Sequence, residues 1–228
     1  VKTQQYNFTG NQIEFVQSIS PNESVEYFVF NSSEAKYPVN PTKISNQNLH
    51  GLPQAEYLII THPNFFSEAE RIAKFHTDND NLSSVVVTTQ QIYNEFSSGA
   101  QDVSALRDFV RMFYEKATSP SELPRYVLLI GDGSFDPKYR ISNNTNYIPC
   151  YQSDNSISQL ASYTSDDFYA MLDPNEGQLI GSELADVGVG RFPVRTMEEA
   201  KDLVNKVITY STPGLTNDQN LCAGSNSS

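Results

Sequence analysis

Basic residues are scarce in this 228-residue chain: 15 lysines and arginines stand against 27 acids, for a formal net charge of -12. Proteins that grip nucleic acid or an anionic membrane by charge need the opposite balance, so neither is expected as a partner. No apolar run approaches the 18 or so residues of a membrane span, and the start lacks the basic-then-apolar order of a signal segment, so no transmembrane segment is expected in this chain. There are two cysteines, Cys150 and Cys222, and neither sits in a CxxC pair. That excludes a disulfide framework and gives no structural zinc site. Of the three histidines, His50 and His76 are expected to have no acid or thiol at a telling spacing, and His62 precedes Pro63. No complete catalytic set is legible from the residues alone, and no repeat is visible.

What is present falls into two stretches. Up to about residue 50, "QIEFVQ" and "SVEYFVFN" are β-prone runs parted by Pro21, Asn22 and Glu23, followed by a connector, "KYPVNPTKISNQN", rich in proline and asparagine. Residues 1–50 are expected to be the β-rich end of an upstream domain plus a linker. From Glu56 the rhythm changes. "AEYLIITH" has the nearly continuous apolar character of a strand buried on both faces. "SEAERIAKFHTDN" then offers Ser67 as N-cap with Glu70 three residues on, and Ala69, Ile72, Ala73 and Phe75 as an apolar stripe. "SSVVVTT" predicts a second strand. Val103, Leu106, Phe109, Val110 and Phe113 predict a helix opened by Asp102. "PRYVLLIGDG" and "ADVGVGRFPV" predict two further strands, "NLCAG" around Cys222 is a candidate fifth, and "TMEEAKDLVNKVITY" is a helix with a Thr196/Glu199 capping box. The order implies residues 51–228 form an α/β unit, an open and mostly parallel sheet flanked by helices.

In such sheets functional groups collect beyond the carboxyl ends of the strands. That places Asp132, Asp136, Asp166, Asp167 and Asp173 on one rim, with Arg191 ending the last sheet strand. An arginine finishing an apolar strand is expected to pair with a rim carboxylate, Asp132 or Asp167 being the candidates. "GDGSFDP" lacks the GxxxxGK[ST] pattern and is acidic, so it is not a phosphate loop. Either its glycines make a tight turn that Asp132 caps, or its acids hold a hard cation, although the spacing is not that of an EF-hand. Cys150 follows an apolar-aromatic run with no histidine nearby in sequence and reads as a packed thiol. His62, at a strand end before Pro63, is either a rim residue or a strand terminator.

Taken in order, "AEYLIITH", "DVSALRDFVRMFYE", "PRYVLLIGDGSFD", "IPCYQSDNS", "TSDDFYAMLD" and "DVGVGRFPVRTMEEAKDLVNKVITY" resemble the first half of the catalytic domain of gingipain-like cysteine peptidases, peptidase family C25, over roughly residues 52–210. Within the family, "LIGDGSFD", "YQSDNS" and "VGVGRFPV" look most like the sortase-type branch of type IX secretion. The resemblance implies a caspase-like half-domain of a cysteine endopeptidase that removes C-terminal sorting signals from secreted cargo. It also implies an extracytoplasmic place at the cell surface or outer membrane, among other secretion-system components. The family's dyad is a histidine in a Gly-His-Gly turn and a later cysteine, and no GHG occurs here, so this part is expected to be inactive by itself. No cofactor is implied for the chemistry. Structural calcium is, with Asp173 and Asp186 as the matching acids and Asp132 and Asp136 behind them. The competing class is a non-enzymatic binding or assembly module on the same fold.

Overall fold

The structure is a computed structural model describing residues 4–37, 39–153, 157–158, 160–177 and 183–212. The candidate strand at Cys222 lies outside these residues. The chain divides into two units, residues 1–45 and 46–228. In the first, β1 (Asn7–Thr9) and β2 (Gln12–Glu14) form an antiparallel hairpin with Phe8 opposite Ile13. The second expected run, Ser24–Asn31, takes no strand conformation. No described residue of this unit is buried, so its β-prone side chains have no layer of their own to pack against.

The second unit is built on four parallel strands in the order β4-β3-β5-β8: β3 (Tyr57–Thr61), β4 (Ser84–Thr88), β5 (Tyr126–Ile130) and β8 (Gly188–Phe192). Period-two alternation sorts their side chains to opposite faces. Tyr57, Ile59, Leu128 and Ile130 face α1 (Phe66–Asp80) and α4 (Met197–Ser211) through Ala69, Ile72, Ala73, Ala200 and Val204. Leu58, Ile60, Val127 and Leu129 face α2 (Thr89–Phe96) and α3 (Val103–Lys116) through Ile92, Leu106, Phe109, Val110 and Phe113. Both layers are apolar, which is why β3 and β5 read as continuous hydrophobic runs rather than alternating ones. Two short strands, β6 (Tyr151–Gln152) and β7 (Thr164–Ser165), pair antiparallel in the long connection from β5 to β8.

Several local expectations hold in detail. Asp102 accepts from Ser104 N at 2.8 Å and opens α3, and Thr196 and Glu199 cap α4 reciprocally at 3.2 and 3.3 Å. Ser67 is not a cap. A 3-10 turn, Pro63–Phe65, runs directly into α1, whose first residue is Phe66, so Ser67 already lies within the helix. The capping group for that run is His62, whose Nδ1 accepts from Asn64 N at 3.3 Å. Helix α2 is an addition to the sequence reading: Thr88 and Gln91 make a capping box at its start.

Candidate functional site

The carboxyl ends of β5 and β8 meet in a knot of loops, and glycine makes the approach possible. After β5 the chain turns at Gly131, with φ of 149°, where a Cβ would lie 3.0 Å from that of Tyr147. At Gly133 a Cβ would stand 2.4 Å from the Cys150 sulfur. "GDG" is therefore a close-packing element, with the thiol seated on its second glycine.

Arg191 ties this knot together. Its Nε and Nη2 bind both oxygens of Asp166 at 2.7 Å each, and Nη1 donates to the carbonyls of Gly131 and Ile148 at 2.8 and 3.0 Å. Its side chain is 11% exposed and that of Asp166 25%. The partner expected from sequence was Asp132 or Asp167, and neither fills that place. Asp167 follows on a turn whose next two residues, Phe168 and Tyr169, are buried, and this leaves Asp167 itself exposed. Asp132 instead accepts from Arg195 Nε and from the Thr145 hydroxyl, both at 2.7 Å. Arg195 went unread in the sequence; the signal available was a second arginine just past Pro193, where the chain leaves the strand.

The remaining acids separate. Asp136 is buried, and its carboxylate accepts backbone N–H groups of Lys138, Arg140 and Ile141, which order the following turn. The Ile141 N–H foremost, with those of Arg140 and Lys138, holds its carboxyl below the usual range. Asp173 and Asp186 lie together elsewhere, beside α3: the Tyr114 hydroxyl is 3.1 Å from one and 3.3 Å from the other, and Asp186 also accepts from Leu172 N at 2.8 Å. Burial, reinforced by these carboxylates, pushes the Tyr114 phenol up to about 12. Calcium takes six to eight oxygens. Among the described residues no group of three or more His, Cys, Asp or Glu converges as a ligand set, so this pair and its phenol are at most part of a calcium site, and Asp132 and Asp136 do not join it.

Cys150 is not placed as a nucleophile. Burial pushes its thiol up, Arg191 works against this, and Asp166 and Asp132 add to it. A thiolate is what attacks, so an elevated thiol with no histidine among its charged neighbours is a poor one. His62 lies apart, with its ring 4.6 Å from that of Tyr147, and burial lowers its pKa. His50 stacks on Phe96 and binds Glu95, while His76 binds Asp80.

A parallel α/β unit with a rim of this composition is matched over residues 50–228 by peptidase family C25, and the chain belongs to that family. Among solved structures it is similar to dimeric latent PorU from Porphyromonas gingivalis, at 36% identity with a TM-score of 0.64, over 73% of this chain and 16% of that one. It is thus a gingipain-like C25 chain resembling PorU. A second structure, described only as a protease, matches at 16% identity and a TM-score of 0.47, over 68% of this chain and 27% of that one, and adds no argument. No curated protein matches. Among the described residues no helix is long and apolar enough to cross a membrane.

Proposed function

We infer that this chain forms part of the catalytic region of a cysteine endopeptidase of the sortase type, acting outside the cytoplasm at the cell surface or outer membrane. Its substrates would be secreted proteins carrying a C-terminal sorting signal, handled together with other secretion-system components. The observation that carries the reading is the 36% identity with PorU across 73% of this chain. In that chemistry a thiolate attacks the scissile carbonyl, a histidine protonates the leaving group, and backbone N–H groups receive the oxyanion. Cys150 and His62 are unsuited to those roles: the thiol is elevated, and the two are not paired. This region's part is architectural, a rim held in shape by Arg191 and Asp166 with the dyad supplied by other residues.

The test compares the chain alone with the full gene product on a peptide bearing a C-terminal sorting signal, in separate samples without and with a thiol-reactive probe, turnover being read in the samples without it. The chain alone is expected to give no turnover, and the gene product to cleave the peptide equally well with and without Cys150→Ala. Thiol-dependent hydrolysis abolished by Cys150→Ala would assign the nucleophile to this region and overturn the reading. A gene product that cuts no signal-bearing peptide would remove the sortase function.

A further inference from the structure

The loop over residues 133–146, between β5 and β6, is built inside out. Its polar side chains Asp136 and Asn146 are buried, while Phe135 is 76%, Tyr139 57% and Ile141 45% exposed. Apolar residues scattered singly over a surface need no explanation, but here the usual order of burial is reversed along one loop. The loop is nonetheless firmly held. The Asp136 carboxylate accepts the backbone N–H groups of Lys138, Arg140 and Ile141, and the Asp136 carbonyl accepts from Asn144 Nδ2 at 2.6 Å. Asn146 Oδ1 accepts from Ser134 N at 3.1 Å, and the Tyr139 hydroxyl donates to Asn146 O at 2.8 Å. Gln101, in the turn between α2 and α3, donates to Pro137 O at 3.1 Å and ties the loop to the rest of the unit. The polar groups are spent on holding a shape, and the shape displays apolar side chains.

Charge is reversed as well. The chain has a formal net charge of -12, yet this loop contains one acid, Asp136, and two bases, Lys138 and Arg140. Both bases are exposed, and among the described residues neither forms an ion pair. Asp136 does not serve them, because its oxygens are taken by backbone N–H groups. Aromatic and arginine side chains on a rigid support have the composition of binding hot spots, and a pre-ordered loop loses little entropy when a partner arrives. Complementarity then specifies the occupant: apolar where it meets Phe135, Tyr139 and Ile141, negative where it meets Lys138 and Arg140. An anionic lipid surface calls for about four to eight clustered bases, and a long polyanion would be repelled by the rest of this acidic chain. A short acidic stretch of protein meets both demands. We propose that the loop over residues 133–146 is a docking surface for an acidic protein segment that carries an apolar side chain.

The test titrates the isotope-labelled chain with three blocked pentapeptides: leucine flanked on each side by two glutamates, the same peptide with lysines for glutamates, and the first with serine for leucine. The first is expected to give saturable amide shifts confined to residues 133–146, and to weaken severalfold as sodium chloride is raised to about 0.5 M. The serine peptide should bind about tenfold more weakly, the loss of one partly buried apolar side chain, and the lysine peptide should not bind. Phe135→Ser should cost the leucine peptide about tenfold and leave Tm unchanged, since that side chain is exposed in the free chain. Lys138→Glu with Arg140→Glu should abolish binding, whereas Lys201→Glu with Lys206→Glu, at exposed positions of α4, should not alter it. Equal losses from the two double variants would show that only net charge is sensed, and equal binding of the leucine and serine peptides would show that the apolar side chains are not read. Shifts that do not saturate, or that spread beyond the loop, would show that no docking surface exists there. Failure of a fluorescent form of the first peptide to bind the full gene product would show that the rest of that protein covers the loop. Each of these results overturns the proposal, and none bears on the peptidase reading, which the cleavage assay decides separately.

Discussion

Replacing Arg191 by alanine is the sharpest perturbation the rim allows. The guanidinium makes four hydrogen bonds, two to Asp166 and two to carbonyls near the two ends of the loop between β5 and β6, with its own side chain 11% exposed. Its removal strands a carboxylate together with the carbonyls of Gly131 and Ile148. A fully buried pair broken on one side costs about 3–5 kcal/mol. Asp166 keeps a quarter of its side-chain surface and can recover some water, which brings the expectation to ~3 kcal/mol. For a domain of this size that lowers Tm by roughly 6–12 °C. Arg191→Lys keeps the charge but not the planar fork, so it should recover less than half the loss. The control is Arg195→Ala: that side chain is 64% exposed in its pair with Asp132 and should cost under about 1 kcal/mol. Urea unfolding followed by circular dichroism measures all three. Equal losses for Arg191→Ala and Arg195→Ala, or a loss under about 0.5 kcal/mol for the former, would show that the rim is not held by this residue.

Three further outcomes follow from the same geometry. His62 should titrate, by NMR, below its ordinary 6.5 because burial disfavours the imidazolium. Since the unfolded chain then binds the extra proton, stability should rise as pH climbs toward about 6.5 and level off above it, and a midpoint above 6.5 would contradict the burial argument. Asp136 has a lowered carboxyl, so its contribution is present above the ordinary carboxylate range and lost as pH falls through the folded value; Asp136→Asn should therefore flatten the acid limb of the melting curve, and an unchanged limb would refute this. Calcium at Asp173 and Asp186 is a proposal carried by family resemblance: an ion held there at a hundred times its Kd adds about 2.7 kcal/mol, a rise of roughly 5–10 °C in Tm, and magnesium much less. Equal small shifts from the two ions, in wild type and in Asp186→Asn alike, would show that the pair holds no ion.

Much of the second unit could be read from the sequence because its signals are local. Continuous apolar runs gave β3 and β5, and cap residues such as Asp102 and Thr196 marked where α3 and α4 begin. Helix α2 went unread because its eight residues carry only a short apolar stripe, Ile92, Tyr93 and Phe96, among polar ones, and because its N-cap, Thr88, is also the last residue of β4. The ion pairs show the other limit. Sequence placed several acids on the correct rim, yet the choice between Asp166 and Asp167 depends on which way one turn faces, and burial of Phe168 and Tyr169 decides that. Arg195 could be assigned to Asp132 only after β5 and β8 were known to be neighbours. The β-prone runs before residue 45 misled for the converse reason: propensity describes a strand that has neighbours, and Ser24–Asn31 has none among the described residues.

The position of β8 bears on how the rim can be lost. Among the described residues it has one neighbour, β5, and it contains Gly188 and Gly190, which contribute no side chain to either layer. Outer strands with few buried contacts are the first to open in local, sub-global unfolding. If β8 peels from β5, Arg191 leaves with it and the loops at Gly131, Ile148 and Asp166 are released together, while β3, β4, α1, α2 and α3 retain their mutual packing. Amide exchange along β8, and at the Gly131 and Asp132 amides that donate to Phe192 O and Val194 O, should then share one opening free energy below that of the central strands. The rim would switch as one cooperative piece, intact or undone, without the sheet behind it melting.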